Sequence, residues 1–316
     1  MRSGIAWGGR HPLCTPQQRA KAVSLQIPTH FSVQYKGNVE LLLQQRGSKL
    51  RHAVGEAGYV GKSAKAVDQV GAVTAQKRTS RHADTPLIST PADARWVFPS
   101  DYEWADLIDS QDKIRTIIDP QGPYTLNAVN ALGRSMDDEI VAAAFGTAKT
   151  GENGTTSTTF PAAAQDVGTD VGGATSGLNM AKIRRAFELL LAAEVDVDND
   201  PLFMAIGSRQ YMEMFGETPA TSTDFIDGKP ISTGKLPHLF GFSFIPIERL
   251  ALASSSRRTC IAWAKSGLHL GIWDEIDTSI DKRADKSNAT QIYAKGTFGA
   301  TRTQEKKVVR VYCTES

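Results

Sequence analysis

The part of this chain that comes closest to a catalytic motif is residues 55–63, which end in Gly61-Lys62-Ser63. A phosphate-binding loop has four residues between its first glycine and the Gly-Lys-Ser end, so that successive backbone amides point at the phosphates. The position of that first glycine is Glu56 here, and its negative charge would repel a phosphate. We therefore interpret these residues as a turn. A nucleotide-binding enzyme that uses Lys62 is kept as an alternative function.

Two further segments imitate chemical motifs but lack a necessary part of each. Residues 196–200 match the start of a calcium loop, but the sharp turn would fall on Pro201 and the bidentate ligand on Gly207. Residues 232–235 have the Ser-x-x-Lys spacing of acyl-enzyme hydrolases, but the Lys-Thr-Gly that should follow lies earlier, at residues 149–151. We expect an acidic surface turn in the first case and a chance match in the second.

Cysteine and histidine add no candidate site. The three cysteines are far apart in the sequence and form no Cys-x-x-Cys pair, and the six histidines show no metal-ligand spacing. No stretch of about eighteen apolar residues, which a membrane helix would need, is present. The sequence therefore predicts no catalytic residue, no cofactor, no bound metal and no membrane contact.

The charge of the chain is divided between its two parts. Residues 1–100 carry 14 Lys or Arg against 5 Asp or Glu, and the remaining residues carry 22 against 29, although the whole chain is only +2. The basic part has few long apolar helical stretches and is poorly equipped to form its own core. Because opposite potentials steer and register partners, we expect the basic part of one copy to lie on the acidic part of another. Self-assembly is the first functional hypothesis.

One long helix is predicted at residues 124–145. Apolar residues that include Leu126, Met136 and Ile140 recur every three to four positions, and Asp137 is among the polar residues expected on the opposite face. At 1.5 Å per residue this helix would be roughly 33 Å long. That length is typical of a structural spine.

Three shorter helices are expected. Residues 38–46 and 178–194 have helical periodicity, and Lys182 is expected on the outer face of the second of these helices. Residues 208–215 follow a buried strand, with Ser208 as the expected cap. Strand, turn and helix at this point indicate a small α/β unit.

Alternating patterns predict the strands. Two of them, residues 65–73 and 85–89, are expected to form an extended two-stranded ribbon, which would need another surface to lie on. Residues 146–176, rich in Gly, Thr, Ser and Ala, are expected to be a loop. A pair of strands is expected within residues 234–252, centred on 240–246. The other expected strands are residues 202–206, 259–263, 276–281, 291–302 and 306–313.

This order of elements resembles the major capsid protein of tailed double-stranded DNA bacteriophages, which has the Hong Kong 97-type fold. The likeness covers residues 23–316. The segments that carry it are the passage at 51–71, the helix at 124–145 with Gly146 after it, the strand at 259–263 with 265–268 after it, and the endings 298–302 and 308–311.

The resemblance implies an α+β fold with four parts. Residues 1–50 would be an N-terminal arm and residues 51–100 an extended β-hairpin loop. Residues 101–150 and 255–316 would form a peripheral domain with the spine helix and a β-sheet, and residues 151–254 an α/β axial domain.

The resemblance also implies the function. The protein would not be an enzyme but would assemble with copies of itself into pentamers and hexamers, which form an icosahedral shell around the packaged phage genome. It would be part of the virion and would assemble in the cytoplasm of the bacterial host. Scaffold, portal and decoration proteins are further partners that the resemblance allows, together with non-specific contact to packaged double-stranded DNA.

The extended loop would lie across the peripheral domain of an adjacent subunit, and the charge division suggests which residues meet. Basic loop residues would contact acidic ones, and an aromatic residue would anchor the loop. The candidate contact residues are Lys62, Lys65, Lys77, Arg78, Arg81, Trp96, Asp106, Asp109 and Asp112.

An encapsulin-like protein nanocompartment is the nearest alternative to a phage shell, because it shares the fold and encloses protein cargo instead of a genome. An interior groove for a cargo peptide would distinguish it.

Overall fold

The computed structural model describes residues 42–81, 84–85, 87–109, 121–173, 175–217, 234–236, 238–254 and 256–315. Four α-helices lie within these ranges: α1 (Gln121–Phe145), α2 (Ala162–Gln165), α3 (Met180–Ala192) and α4 (Ser208–Phe215). Single 3-10 turns lie at Arg51–Ala53, Lys265–Gly267, Ala284–Lys286 and Glu305–Lys307. No described helix is long and apolar enough to cross a bilayer.

The strands within the same residues follow in chain order: β1 (Gly55–Gly58), β2 (Ala64–Val70), β3 (Ala92–Val97), β4 (Ser100–Ile108), β5 (Ala148–Thr150), β6 (Thr156–Thr158), β7 (Asp166–Val167), β8 (Leu202–Ile206), β9 (Phe242–Pro246), β10 (Leu252–Ser254), β11 (Arg257–Ala264), β12 (Leu268–Arg283), β13 (Ala289–Arg302) and β14 (Val308–Thr314). They form three sheets, with the orders β1-β12-β13-β4, β7-β14-β11-β8-β9 and β2-β3-β5-β6; β10 pairs with β11 beside the second path.

The four-stranded sheet that contains β12 and β13 packs on the long helix α1. Tyr102 and Trp104 of β4 lie against the buried helix residues Ala128 and Leu132, because alternate residues of a strand point to the same face. Tyr102 also stacks on Phe298, with ring centroids 4.8 Å apart. Burial of these aromatic rings holds the sheet on the helix.

The six-stranded sheet carries the largest buried cluster. Its central strand β11 is antiparallel to β8 and β14, and β9 runs parallel to β8. Trp263 of β11 is fully buried, and its indole N–H donates to the carbonyl of Ala53, 2.9 Å away. Helix α3 packs beside β14 through buried residues that include Ile183 and Leu190.

The third sheet forms the base of the extended loop. Strand β2 pairs with β3, which pairs in turn with the short hairpin of β5 and β6. A ribbon was predicted here, but its returning strand was placed at residues 85–89. The strand that returns is β3, and the described residues between 71 and 91 form no strand in their own chain.

Several other sequence predictions need correction. The described part of the predicted helix at 38–46, residues 42–46, is not helical, and residues 38–41 lie outside the described ranges. The predicted loop at 146–176 contains β5, β6, β7 and α2. The predicted strand pair near residues 240–246 is a single strand, β9, with an isolated bridge between Leu239 and Phe242.

Three side chains differ from the sequence prediction in their burial, and a fourth differs in its capping role. Leu126, predicted to be in the core, is 58% exposed. Asp137 and Lys182, both predicted to face solvent, are fully buried. Ser208 does not cap α4 with its side chain; its backbone N–H instead donates to Glu248 at 2.5 Å.

The proposed domain ranges stay a prediction. Within residues 255–316, β12 and β13 lie in the sheet on α1, whereas β11 and β14 lie in the six-stranded sheet.

Candidate assembly surfaces

The most exposed described segment is the end of the extended loop, residues 71–91, called the loop tip below. Every described residue of the loop tip is exposed. Among its described residues one backbone hydrogen bond joins the two arms, from the amide of Gly71 to the carbonyl of Pro91 at 2.7 Å. A segment that buries so little in its own chain gains little stability there.

The loop tip is basic. Lys77, Arg78 and Arg81 are exposed on it, with Asp84 as the acidic residue. Arg78 donates to the carbonyl of Ser80, 2.9 Å away, and this contact leaves its charge uncompensated. None of the three cations has an ion pair with another described residue.

The two lysines nearer the base differ from each other. Lys62 is exposed in the turn between β1 and β2. The next element after this lysine is a strand, so the strand-loop-helix geometry of a phosphate-binding loop is not formed. Lys65 already has partners, because its ammonium lies 3.5 Å from Asp68 and 5.7 Å from the ring centroid of Trp96.

Trp96 is anchored within its own chain. Its indole N–H donates to the carbonyl of Gly151 at 2.7 Å. Gly154 has a φ of +67°, and a Cβ at this position would lie 2.8 Å from the indole. The tryptophan therefore packs on the hairpin of β5 and β6 and fixes the base of the loop.

An acidic surface lies on the side of the four-stranded sheet that faces away from α1. This surface, called the acidic face, carries Asp101 and Glu103 of β4 and Asp274 and Asp277 of β12. Register and hydrogen bonds place these residues together: Asp101 accepts from Thr297 at 2.8 Å, Glu103 from Tyr293 at 3.1 Å, and Asp274 from Lys295 at 2.8 Å. The pKa of Lys295 is raised by its hydrogen bond to Asp274.

The acidic contact residues predicted from sequence lie elsewhere. Asp106 is on the same side of β4 as Tyr102 and Trp104, toward α1, and its charge adds to the effect of burial in raising the pKa of Tyr124. Asp109 is exposed at the end of a described range, and Asp112 lies outside the described residues. The sequence located the acidic region but missed the strand alternation that turns Asp101 and Glu103 outward.

The buried acidic residue Asp137 fixes the chain where it enters the loop. Its carboxylate accepts from the Ser48 hydroxyl at 2.5 Å, from the amides of Lys49 and Leu50 at 3.0–3.1 Å, and from the Gln45 side chain. This arrangement satisfies the buried charge. No periodicity in the sequence indicates it, because the partners lie 87–92 residues away in the chain.

Two buried cations, Lys182 and Arg302, donate hydrogen bonds to backbone carbonyls in other parts of the fold. The ammonium of Lys182 donates to the carbonyls of Ser176, Gly177 and Tyr312 at 2.6–3.0 Å, and burial lowers its pKa. Arg302 donates to carbonyls at the C-terminal end of α1, including that of Ala144 at 2.9 Å, and burial lowers its pKa as well. A cation at a helix C-terminus also interacts favourably with the helix dipole.

The base of the loop is joined to the region around Arg302. Arg95 of β3 is buried and pairs with Glu305 at 2.8 Å. Gln69 of β2 accepts from Arg95 at 3.2 Å and donates to the carbonyl of Thr303 at 2.5 Å. Both strands of the loop are therefore held by the turn that follows β13.

Asp200 makes a contact with another part of the fold. Asp200 accepts from the amide of Ser266 at 3.1 Å and so joins the predicted acidic turn to the end of β11.

Cys260 and Cys313, although far apart in sequence, are buried on adjacent strands as free thiols with sulfurs 3.9 Å apart. The hydrogen bond to Cys313 and burial raise the pKa of Cys260. Among the described residues no group of three or more Cys, His, Asp or Glu could hold a metal ion.

Comparison with known proteins identifies the family. A model of the family described as phage capsid protein matches residues 27–315. The chain belongs to the phage capsid protein family. The sequence-based prediction of a major capsid protein of the phage shell is thereby confirmed, and the capsid protein is a component of the virion.

Solved capsid structures are similar to this capsid protein over nearly its whole length. The capsid of Cyanophage P-SCSP1u matches with a TM-score of 0.69 at 14% identity, covering 91% of this chain and 94% of that chain. The capsid of Cyanophage Pam1 matches with 0.66 at 12% identity, covering 94% and 99%. The capsid of Ralstonia phage GP4 matches with 0.65 at 10% identity, covering 98% and 99%. No curated protein sequence matches the chain.

These structural matches confirm the predicted α+β fold of the Hong Kong 97 type. Membership of the family also makes the protein a structural one that assembles into a multimeric shell. The loop tip and the acidic face are therefore candidate surfaces for contact between copies.

Proposed function

We propose that this capsid protein assembles into pentamers and hexamers, and that these form an icosahedral shell around the packaged phage genome in the cytoplasm of the bacterial host. The proposal has no catalytic step. It allows for scaffold, portal and decoration proteins, and for non-specific contact with packaged DNA, which would fall with rising salt.

Within the shell, we propose that the loop tip of one copy lies on the acidic face of its neighbour. The observation that carries this proposal is the pair of opposite, exposed charges: Lys77, Arg78 and Arg81 on the loop tip have no ion pair with another described residue, and the acidic face carries four carboxylates around one ammonium, that of Lys295. Such complementarity steers encounter and fixes register.

The acidic contact residues predicted from the sequence, Asp106, Asp109 and Asp112, remain part of the proposal as a second region that the loop could contact. The acidic face is the better partner, because Asp101 and Glu103 point away from α1 whereas Asp106 points toward it. Lys62 stays a contact candidate in the turn after β1, and Lys65 and Trp96 contribute by holding the base of the loop.

The first experiment is electron microscopy of the purified protein over a series of salt and protein concentrations. Closed particles, pentamers or hexamers are the expected result, and a small oligomer under every condition would contradict the proposal. Particle contents separate a genome shell from an encapsulin-like compartment. A phosphate-release assay on the wild type and on Lys62→Ala tests the enzyme alternative, and activity that this substitution abolishes would overturn the non-enzymatic assignment.

A charge swap tests the contact itself. The double change Arg78→Glu with Arg81→Glu should raise the protein concentration needed for assembly by about 5–30-fold, since two exposed pairs contribute about 1–2 kcal/mol. Adding Asp101→Lys and Glu103→Lys on the acidic face should restore assembly. Unchanged assembly and unchanged salt dependence in the first variant would refute the contact, and so would the absence of rescue in the second.

A further inference from the structure

One edge of the four-stranded sheet has no partner among the described residues. Strand β1 pairs with β12 in parallel, with Gly58 opposite Ile272, and the amide of Tyr59 donates to the carbonyl of Ile272 at 2.8 Å. In a parallel pair only alternate residues of a strand bond to the same neighbour. Ala57 and Tyr59 therefore face β12, and the amides and carbonyls of Glu56 and Gly58 point away from the sheet.

A groove runs beside this edge. It has a volume of about 490 Å³, and the aromatic rings of Tyr59 and Trp273 line it. The ring centroids are 5.4 Å apart, and both rings fit there because Gly271 has no side chain: a Cβ would lie 2.9 Å from each ring. Val60, at the end of the groove, is 96% exposed.

The groove also contains an unmet hydrogen-bond donor. The indole N–H of Trp273 is buried and has no acceptor among the described residues. A buried donor without a partner destabilises the state in which it is left unpaired. This second observation, independent of the strand edge, indicates that the surroundings of β1 are incomplete in the single chain.

The loop tip contains a segment that also lacks backbone hydrogen-bond partners among the described residues. Residues 87–90, Leu-Ile-Ser-Thr, include 87–89 of the strand predicted at 85–89, but they pair with no described strand of their own chain. Leu87 is 99% exposed and Ile88 is 41% exposed. No backbone hydrogen bond is made by residues 87–90 within the described structure.

We propose that residues 87–90 of one copy add as a strand to the free edge of β1 in a neighbouring copy. The incoming backbone would bond to the outward amides and carbonyls of Glu56 and Gly58, and Leu87 would cover the rings of Tyr59 and Trp273. Addition of an extended segment to a sheet edge is a general mode of recognition, in which main-chain bonds give affinity and side-chain pockets give specificity. The proposal rests on the proposed shell function, because it requires a second copy.

The sharpest test needs no substitution. Hydrogen exchange is compared between assembled particles and free subunits of the wild type. The outward amides of Glu56 and Gly58, and amides within residues 87–90, should exchange at least tenfold more slowly in particles. Protection of 56–58 without protection of 87–90 would mean that another segment or another protein occupies the edge, and would overturn the proposal. Equal exchange of 56–58 in both states would overturn it as well.

A proline substitution tests the backbone contact. Gly58→Pro removes an outward N–H without removing a bond to β12, a position where a sheet tolerates proline. The matched control is Ala75→Pro, on the other arm of the exposed loop tip. Gly58→Pro should abolish particles or raise the assembly concentration at least tenfold while the thermal unfolding temperature of the subunit stays unchanged, and the control should assemble normally. Normal assembly of Gly58→Pro would overturn the proposal.

Cross-linking tests proximity. Val60→Cys and Leu87→Cys are combined in a Cys14→Ser background and treated with a short bis-maleimide. Covalent dimers and higher multimers should appear, and each single variant should give far fewer. A product that is only an internally cross-linked monomer would overturn contact between copies. If the protein forms no multimer at all, the shell function fails together with this inference; if particles form but residues 87–90 remain unprotected, only the inference fails.

Discussion

Asp137→Asn should be among the most damaging conservative changes in this capsid protein. The carboxylate is fully buried, and its two oxygens accept from the Ser48 hydroxyl, the amides of Lys49 and Leu50, and the Gln45 side chain. An asparagine amide has the same shape, but one oxygen is replaced by an NH₂ group that would face donors. At least two charge-assisted hydrogen bonds would therefore be lost or reversed.

The magnitude follows from those contacts. Hydrogen bonds to a charged group contribute about 1.5–3 kcal/mol each, and a donor left buried without a partner adds a further cost. We expect Asp137→Asn to lower the free energy of unfolding by about 3–5 kcal/mol, a large share of the roughly 5–15 kcal/mol that holds a domain together. At roughly 2–4 °C per kcal/mol, the unfolding temperature should fall by about 10 °C.

The next residue in the chain is the matched control. Asp138 pairs with Arg249 on the surface, where the two side chains are 43% and 37% exposed. Exposed pairs contribute about 0–1 kcal/mol, so Asp138→Asn should have a small effect. Urea unfolding of unassembled subunits, followed by circular dichroism, compares the two variants. Equal losses in both, or a loss below about 1 kcal/mol for Asp137→Asn, would refute the reasoning.

Three further changes test other parts of the fold. Gly133→Ala should cost about 1–3 kcal/mol, because its Cβ would lie 2.6 Å from the backbone of the segment that crosses the helix, whereas Gly122→Ala meets nothing within 4 Å and should be tolerated; calorimetry that gives equal unfolding temperatures would contradict this. Arg302→Lys should cost about 2–3 kcal/mol in thermal unfolding, because one ammonium cannot replace the guanidinium fork at the end of α1, and a variant as stable as the wild type would show that these bonds contribute little. Burial and a hydrogen bond to Glu139 raise the pKa of Tyr102 to about 12. The contribution of this phenol to the free energy of unfolding is therefore complete below about pH 10 and is lost as the pH rises through 12. The stability advantage of the wild type over Tyr102→Phe should shrink over that range by at most about 2 kcal/mol, and a constant difference between pH 9 and 12 would argue against the shift.

Much of the architecture could be predicted from local pattern. The long helix and β13 follow from periodicity, and the strands β8 and β11 follow from short continuous apolar runs, whereas only residues 276–281 of β12 were predicted as a strand. The return strand of the loop could not be placed in this way. Residues 85–89 look more like a strand than β3 does, but β3 contains Arg95 and Trp96, whose partners in the turn after β13 and in the hairpin of β5 and β6 decide the pairing.

The buried charges show a second limit of sequence reasoning. Asp137 and Lys182 both lie on helices at positions that a hydrophobic pattern assigns to the surface, and both are fully buried. Backbone amides supply two of the donors around Asp137 and backbone carbonyls supply the acceptors around Lys182, and the sequence does not distinguish these backbone groups from any others. A pattern of side chains can predict which residues avoid water, but it cannot predict where a folded backbone will present several donors or acceptors at one point.

The contacts that acidic side chains make within one chain help to explain why the basic loop tip is left without ion-pair partners. Three consecutive acidic residues of α1 reach three different parts of the chain: Asp137 the segment that leads to the loop, Asp138 the loop after β9, and Glu139 the strand β4. Some acidic residues of the body thus already have partners within their own chain, while the basic residues of the loop tip remain without ion pairs among the described residues. Folding of one chain leaves the loop tip, the edge of β1 and the acidic face incomplete. In the proposed shell, a second copy would supply the missing charges and backbone groups, so that association completes contacts that folding leaves open. The conformational entropy that the loop loses on docking would then be offset only when a neighbour is present.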